Sequence, residues 1–183
     1  GTNVIIAIIL ARLLSPVDFG LLGILMIFIT ISQAIVDSGF SSALVRKKDC
    51  NDEDYSTALL TNLGISIGLY VLLYFGAPFI SAFFNEDAMI SLLKVIGVVL
   101  IINAFGIIQR VQLIRDLNFK KQAWVSLISS IISGVLGISA ALNGMGVWSL
   151  LVKIISHQLV EVVLLWVTNK WKPIIIFSTT SFK

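Results

Sequence analysis

The sequence predicts an all-α, polytopic membrane protein, a helical bundle of six transmembrane helices of which the first is truncated. Of its 183 residues, 57% are hydrophobic and 13% charged, where a soluble domain carries about 25% charged residues. A mean hydropathy of +1.00 leaves too little polar surface to cover a water-soluble globule. The apolar residues gather into continuous runs of the length, roughly 20 residues, that crosses a bilayer as a helix. Barrel strands alternate polar and apolar over about ten residues, so unbroken runs exclude a transmembrane β-barrel.

The first run, Val4 to Leu14, is 11 residues long and too short to cross alone. It has neither the basic lead nor the small-residue cleavage site of a signal peptide. With Gly1 as the first residue, it reads as a spanning helix, about 1–14, whose beginning is cut off. The chain as a whole, 1–183, is then a single transmembrane bundle and a fragment of a longer protein. Ser15-Pro16-Val17-Asp18 forms the turn to the second span, about 19–45. The charged stretch Arg46 to Ser56 leads to the third, about 57–84, and Asn85-Glu86-Asp87 turns the chain into the fourth, about 88–108. Gln109 to Lys121 precedes the fifth, about 123–142, and Asn143-Gly144-Met145-Gly146 the sixth, about 147–167. Connections this short require antiparallel neighbours.

The basic residues sort by side. Arg46, Lys47, Lys48, Arg110, Arg115, Lys120, Lys121, Lys170, Lys172 and Lys183 fall in alternate loops or the tail, whereas the opposite loops hold Arg12 alone. That bias places the basic loops in the cytoplasm. It also explains a net charge of +3 and a pI near 9.1 without nucleic acid as a partner. Cys50 is the one cysteine and His157 the one histidine, which excludes an internal disulfide and a cysteine-rich metal site. No cofactor motif is present. Gly64-Ile65-Ser66-Ile67-Gly68 matches the G-x-S-x-G string of serine hydrolases, but that chemistry needs a strand-to-helix turn. Within a spanning helix, Gly64 and Gly68 read as a close-packing pair.

Ionisable residues at membrane depth are costly and face protein or a water-filled cavity. Lys153, His157 and Glu161 stand at i, i+4 and i+8 on the sixth helix and share one face, which Ser149 extends. Two readings compete: a structural network of the three, or the lining of a polar passage in which Lys153 meets an anion. The second helix adds Gln33 and Asp37 at i and i+4, and Asp37 is a cavity residue, a coupling-ion ligand, or a partner of the basic loop after it. Asn62, Asn103 and Ser126, Ser129, Ser130 and Ser133 supply uncharged polarity, and Lys94 is placed to snorkel outward. Trp148, Trp166 and Trp171 lie near helix ends as interfacial anchors.

Four strings resemble one family. Leu10-Ala11-Arg12-Leu13-Leu14-Ser15-Pro16-Val17-Asp18-Phe19-Gly20 is similar to the junction of the first two helices in bacterial polysaccharide transporters, the Wzx-type flippases of lipid-linked oligosaccharides. The run from Asp37 to Asp49, DSGFSSALVRKKD, is similar to their second-helix exit. Arg115-Asp116-Leu117-Asn118-Phe119-Lys120 is similar to the loop before the fifth helix, and Gly144-Met145-Gly146-Val147-Trp148-Ser149-Leu150 to the start of the sixth. The resemblance implies one half of a two-bundle transporter, lacking its C-terminal helical bundle. It also implies movement, without covalent chemistry, of undecaprenyl-diphosphate-linked sugar units across the inner membrane for exopolysaccharide, capsule or lipopolysaccharide O-antigen synthesis.

On that reading Lys153, His157, Asn62 and Asn103 are the substrate-binding candidates and Asp37 and Glu161 the coupling-ion candidates. Membrane lipid, the lipid-linked oligosaccharide, a glycan polymerase and glycosyltransferases are the expected partners. The rivals are a cation-coupled multidrug exporter of the same superfamily and a non-transporting membrane partner of glycan-synthesis enzymes.

Overall fold

The computed structural model describes residues 2–37 and 52–169. Among them the chain forms seven helices, α1 (Thr2–Leu13), α2 (Pro16–Asp37), α3 (Asp52–Phe84), α4 (Ala88–Ile96), α5 (Val98–Arg115), α6 (Phe119–Leu142) and α7 (Val147–Thr168), and no strand. Helices α4 and α5 form one span of 28 residues, because Gly97 between them keeps a helical φ of −59° and its N–H still donates to the Leu93 carbonyl at 3.0 Å. A Cβ on Gly97 would stand 3.0 Å from the Tyr70 ring, so the missing side chain lets α3 pack close. By length and composition α2, α3, α4 with α5, α6 and α7 are each able to cross a membrane, and α1 is the shorter apolar helix.

Three helix ends use one device. After α3, α5 and α6, a residue with positive φ (Asn85, Leu117 and Gly144) reverses the chain. The next N–H then reaches back five residues, Glu86 to Ser81, Asn118 to Leu113 and Met145 to Ala140, at 3.0–3.2 Å. This is the Schellman arrangement, which satisfies carbonyls left free at a helix end. At the start of α6, Asn118 caps the helix by accepting from the Lys121 backbone N–H at 3.2 Å.

The helices outrun the apolar runs at four places, the first being α2, which begins at Pro16 instead of near 19. The fourth span ends at Arg115 instead of near residue 108, α3 begins at Asp52 instead of near 57, and α6 at Phe119 instead of near 123. Hydropathy marks where lipid begins, whereas the helix ends only where capping and a positive φ end it, and arginine, lysine and glutamine are good helix formers. Residues 38–51, with the basic cluster Arg46-Lys47-Lys48 and Cys50, and the tail with Lys170, Trp171, Lys172 and Lys183 lie outside the described residues.

The most extensive helix contact joins α6 to α7. Its cause is a stripe of small buried residues on α6, namely Ser129, Ser130, Ser133, Gly134, Gly137 and Ala141. Such residues let backbones approach where no hydrophobic effect drives association. A Cβ on Gly137 would meet the Lys153 Cβ at 2.8 Å, and one on Gly134 would run into Ile6 of α1. Gly64 and Gly68 are different. Both are exposed, and a Cβ at either position would find nothing within 4 Å, so among the described residues they pack against no other helix, contrary to the sequence expectation. Exposed apolar side chains such as Phe75, Phe79 and Phe83 suit a lipid surround.

Candidate functional site

Helix α7 carries the polar stripe. Ser149 belongs to it by spacing but is fully buried, with its hydroxyl donating to the Gly146 carbonyl at 2.7 Å. It therefore serves the helix start. Lys153 lies six residues beyond Val147, about 9 Å along the axis, and borders two cavities. A groove of about 300 Å³ is lined by Gln33 of α2 and by Lys153, His157 and Gln158 of α7, with Met26, Ile29 and Val99 as apolar walls. A second cavity of about 250 Å³ lies between α1, α2 and α7 and is lined by Ala7, Leu10, Phe19, Leu22 and Leu150, with Lys153 its one charged residue. Met26 and Ile154 belong to both linings.

Glu161 is engaged elsewhere. Its Oε1 lies 3.3 Å from Arg110 Nε, a charge contact whose angle falls short of a hydrogen bond. Its Oε2 lies 3.7 Å from His157 Nδ1, an ion pair when the imidazole is protonated. Arg110 also donates through Nη2 to Asn103 Oδ1 at 2.7 Å, and Gln158 Nε2 donates to the same oxygen at 2.9 Å. His157 Nε2 is 3.4 Å from the Ser130 hydroxyl. One polar network thus ties α5, α6 and α7, and close contact allows it, since a Cβ on Gly106 would stand 2.8 Å from Val162 Cγ2.

The consequence is an imbalance of charge. Arg110 balances Glu161, while among the described residues no hydrogen bond or ion pair engages the Lys153 ammonium. The structure therefore brings His157 and Glu161 together without Lys153, and a network of all three α7 residues does not form in this conformation.

Asn103 joins the network. Asn62 is fully buried on α3, neither its amide nitrogen nor its oxygen has a hydrogen-bond partner, and the same holds for the Ser66 hydroxyl. It is not among the residues lining either cavity beside Lys153. Asp37 closes the described part of α2, and its side chain lies outside the described residues. Lys94 places its ammonium 4.3 Å from the centre of the Tyr74 ring, a cation–π contact. Trp166 anchors α7 by donating to the Phe105 carbonyl at 3.0 Å. Arg110 and Gln158 are the site residues that sequence reasoning passed over. The available signal was the seven-residue spacing of Asn103 and Arg110, two turns apart on one face, once the helix is allowed to continue past residue 108.

A bundle of apolar spans with a cationic groove defines a multi-pass membrane protein, and comparison gives its kin. The chain matches the polysaccharide biosynthesis protein family over residues 9–183, and it belongs to that family. It is 28% identical over 178 residues to the succinoglycan biosynthesis transport protein ExoT of Rhizobium meliloti (strain 1021), covering 97% of this chain and 36% of that one. It is 25% identical to the teichuronic acid biosynthesis protein TuaB of Bacillus subtilis (strain 168), over 83% of this chain and 32% of the relative. With the lipopolysaccharide biosynthesis protein WzxC of Escherichia coli (strain K12) the identity is 21%, over 73% and 27%. The chain thus spans about a third of the length of these curated relatives. No solved structure matches it.

Proposed function

We propose that the chain forms one helical bundle of a transporter that moves lipid-linked oligosaccharide across the bacterial inner membrane, with its basic loops in the cytoplasm. The observation that carries this reading is the unengaged ammonium of Lys153, held in a groove beside Gln33, His157 and Gln158. A phosphate entering hydrocarbon loses its hydration, and a cation already at that depth offsets part of the loss. Amide and imidazole side chains next to it exchange hydrogen bonds with a glycan that has left water. No covalent step is required. Family membership and relatives named for succinoglycan transport and for lipopolysaccharide biosynthesis support the substrate class.

On this reading a second helical bundle closes the other side of the groove, and a glycan polymerase and glycosyltransferases act on either side of the transport step. Of the two coupling-ion candidates, Glu161 already balances Arg110, which supports a structural role and leaves Asp37 for coupling. A cation-coupled drug exporter needs a carboxylate at the groove, where Lys153 is the charged lining residue paired with nothing.

The test is Lys153→Gln in the full-length protein. Surface glycan display in a strain relying on that protein should fall about tenfold or more, at wild-type protein level in the membrane. Wild-type display would remove Lys153 from the mechanism.

A further inference from the structure

The two cavities that share Lys153 differ in chemistry, and their order along α7 gives the site a direction. Toward the N-terminal end of α7 the cavity between α1, α2 and α7 is apolar, walled by Ala7, Leu10, Phe19, Leu22 and Leu150. Toward the C-terminal end the groove presents Gln33, His157 and Gln158. The ammonium stands at the junction, with Met26 and Ile154 common to both linings. A cation between an apolar pocket and a polar groove matches a molecule that is itself hydrocarbon, phosphate and polar headgroup in that order. A free inorganic phosphate or a soluble nucleotide sugar has no use for the apolar half.

We propose that the α1–α2–α7 cavity is a binding site for the phosphate-proximal hydrocarbon of a polyprenyl-linked substrate, with the phosphate on Lys153 and the headgroup in the groove. This rests on the transport reading above and extends it. A cavity of about 250 Å³ lies below the roughly 300–1,000 Å³ of pockets that enclose a drug-sized ligand, so it takes the first isoprene units and leaves the rest of the chain in the bilayer. The basic residues Arg115, Lys120 and Lys121 mark the C-terminal end of α7 as the cytoplasmic end under the topology proposed above. The headgroup half of the site then faces the cytoplasm and the hydrocarbon half faces outward. That is the orientation of a unit whose glycan has not yet crossed, with its phosphate already past the middle of the span, since Lys153 stands about 9 Å from the outer end of α7.

The experiment measures binding of diphosphates of increasing chain length, from inorganic diphosphate through isopentenyl, geranyl, farnesyl and geranylgeranyl diphosphate, to the full-length protein in detergent, corrected for empty micelles. Affinity should rise about tenfold or more over the first isoprene units, the gain from burying as few as two methylene groups, and then level off as the cavity fills. Ala7→Phe, which fills the cavity from α1, should erase that rise while leaving inorganic diphosphate binding unchanged. Leu22→Trp does the same from α2 should Ala7→Phe fail to fold. Lys153→Gln should weaken every diphosphate. No dependence on chain length, or a rise that the cavity-filling variant leaves intact, overturns the hydrocarbon site alone. Binding of all diphosphates unaffected by Lys153→Gln overturns the anion reading beneath it.

Discussion

The guanidinium of Arg110 and the ammonium of Lys153 both stand on helices long and apolar enough to cross a membrane, yet their surroundings differ. Arg110 meets Glu161 and Asn103, with side chains only 29% and 18% exposed for the charged pair. Removing one partner of such a pair leaves an uncompensated charge and costs about 3–5 kcal/mol when fully buried. Glu161→Gln should therefore lower the thermal stability of the protein in detergent, by about 2 kcal/mol given the residual exposure. The double variant Arg110→Gln/Glu161→Gln should recover most of the loss. Equal stability of the single and double variants would show that the pair is not coupled. The α7 stripe was legible in the sequence because Lys153, His157 and Glu161 repeat every four residues. Its partition was not, since which carboxylate meets which cation depends on α5, and Arg110 lay outside the apolar run that served to place the fourth span.

At the scale of the elements, the spans were legible because lipid demands about 20 apolar residues in each, and the turns because glycine, asparagine and proline punctuate them. Helix ends were less so. The α5 terminus is set by Leu117 at φ 51°, a conformation that costs a non-glycine residue roughly 1–2 kcal/mol and that no pattern of hydropathy announces. Gly144, at φ +74° with nothing within 4 Å of a Cβ, isolates the backbone contribution. Gly144→Ala should lower stability by about 1 kcal/mol, read as a lower Tm, and an unchanged Tm would contradict the assigned turn. The small-residue stripe on α6 belongs to this scale too. Its serines were legible as polar helix contacts, but that Gly134 admits Ile6 and Gly137 admits Lys153 is a fact of packing. The Gly64 and Gly68 pair shows the converse, a packing motif with no helix against it among the described residues.

For the whole molecule, α5, α6 and α7 are joined at two levels. Arg110, Asn103, Glu161 and Gln158 link α5 to α7 within the bundle, and Ser130 near His157 adds α6. At the C-terminal end of α7, Lys121 donates to the Thr168 carbonyl and to Asn169 Oδ1, and Asn169 donates to Gln109 Oε1 at 2.8 Å. Helix α2 makes only smaller contacts with its neighbours, and both cavities at Lys153 open along it. A braced three-helix wall that presents one uncompensated cation toward α2 is the arrangement on which the transport reading rests. The most direct test is the rate at which the full-length protein, reconstituted in vesicles, flips a lipid-linked oligosaccharide when residue 153 is Lys, Arg or Met. Flipping retained by Lys153→Arg and lost by at least about tenfold in Lys153→Met, with all three proteins folded and equally inserted, is the predicted result. Equal rates for Lys153→Met and the unaltered protein would contradict it.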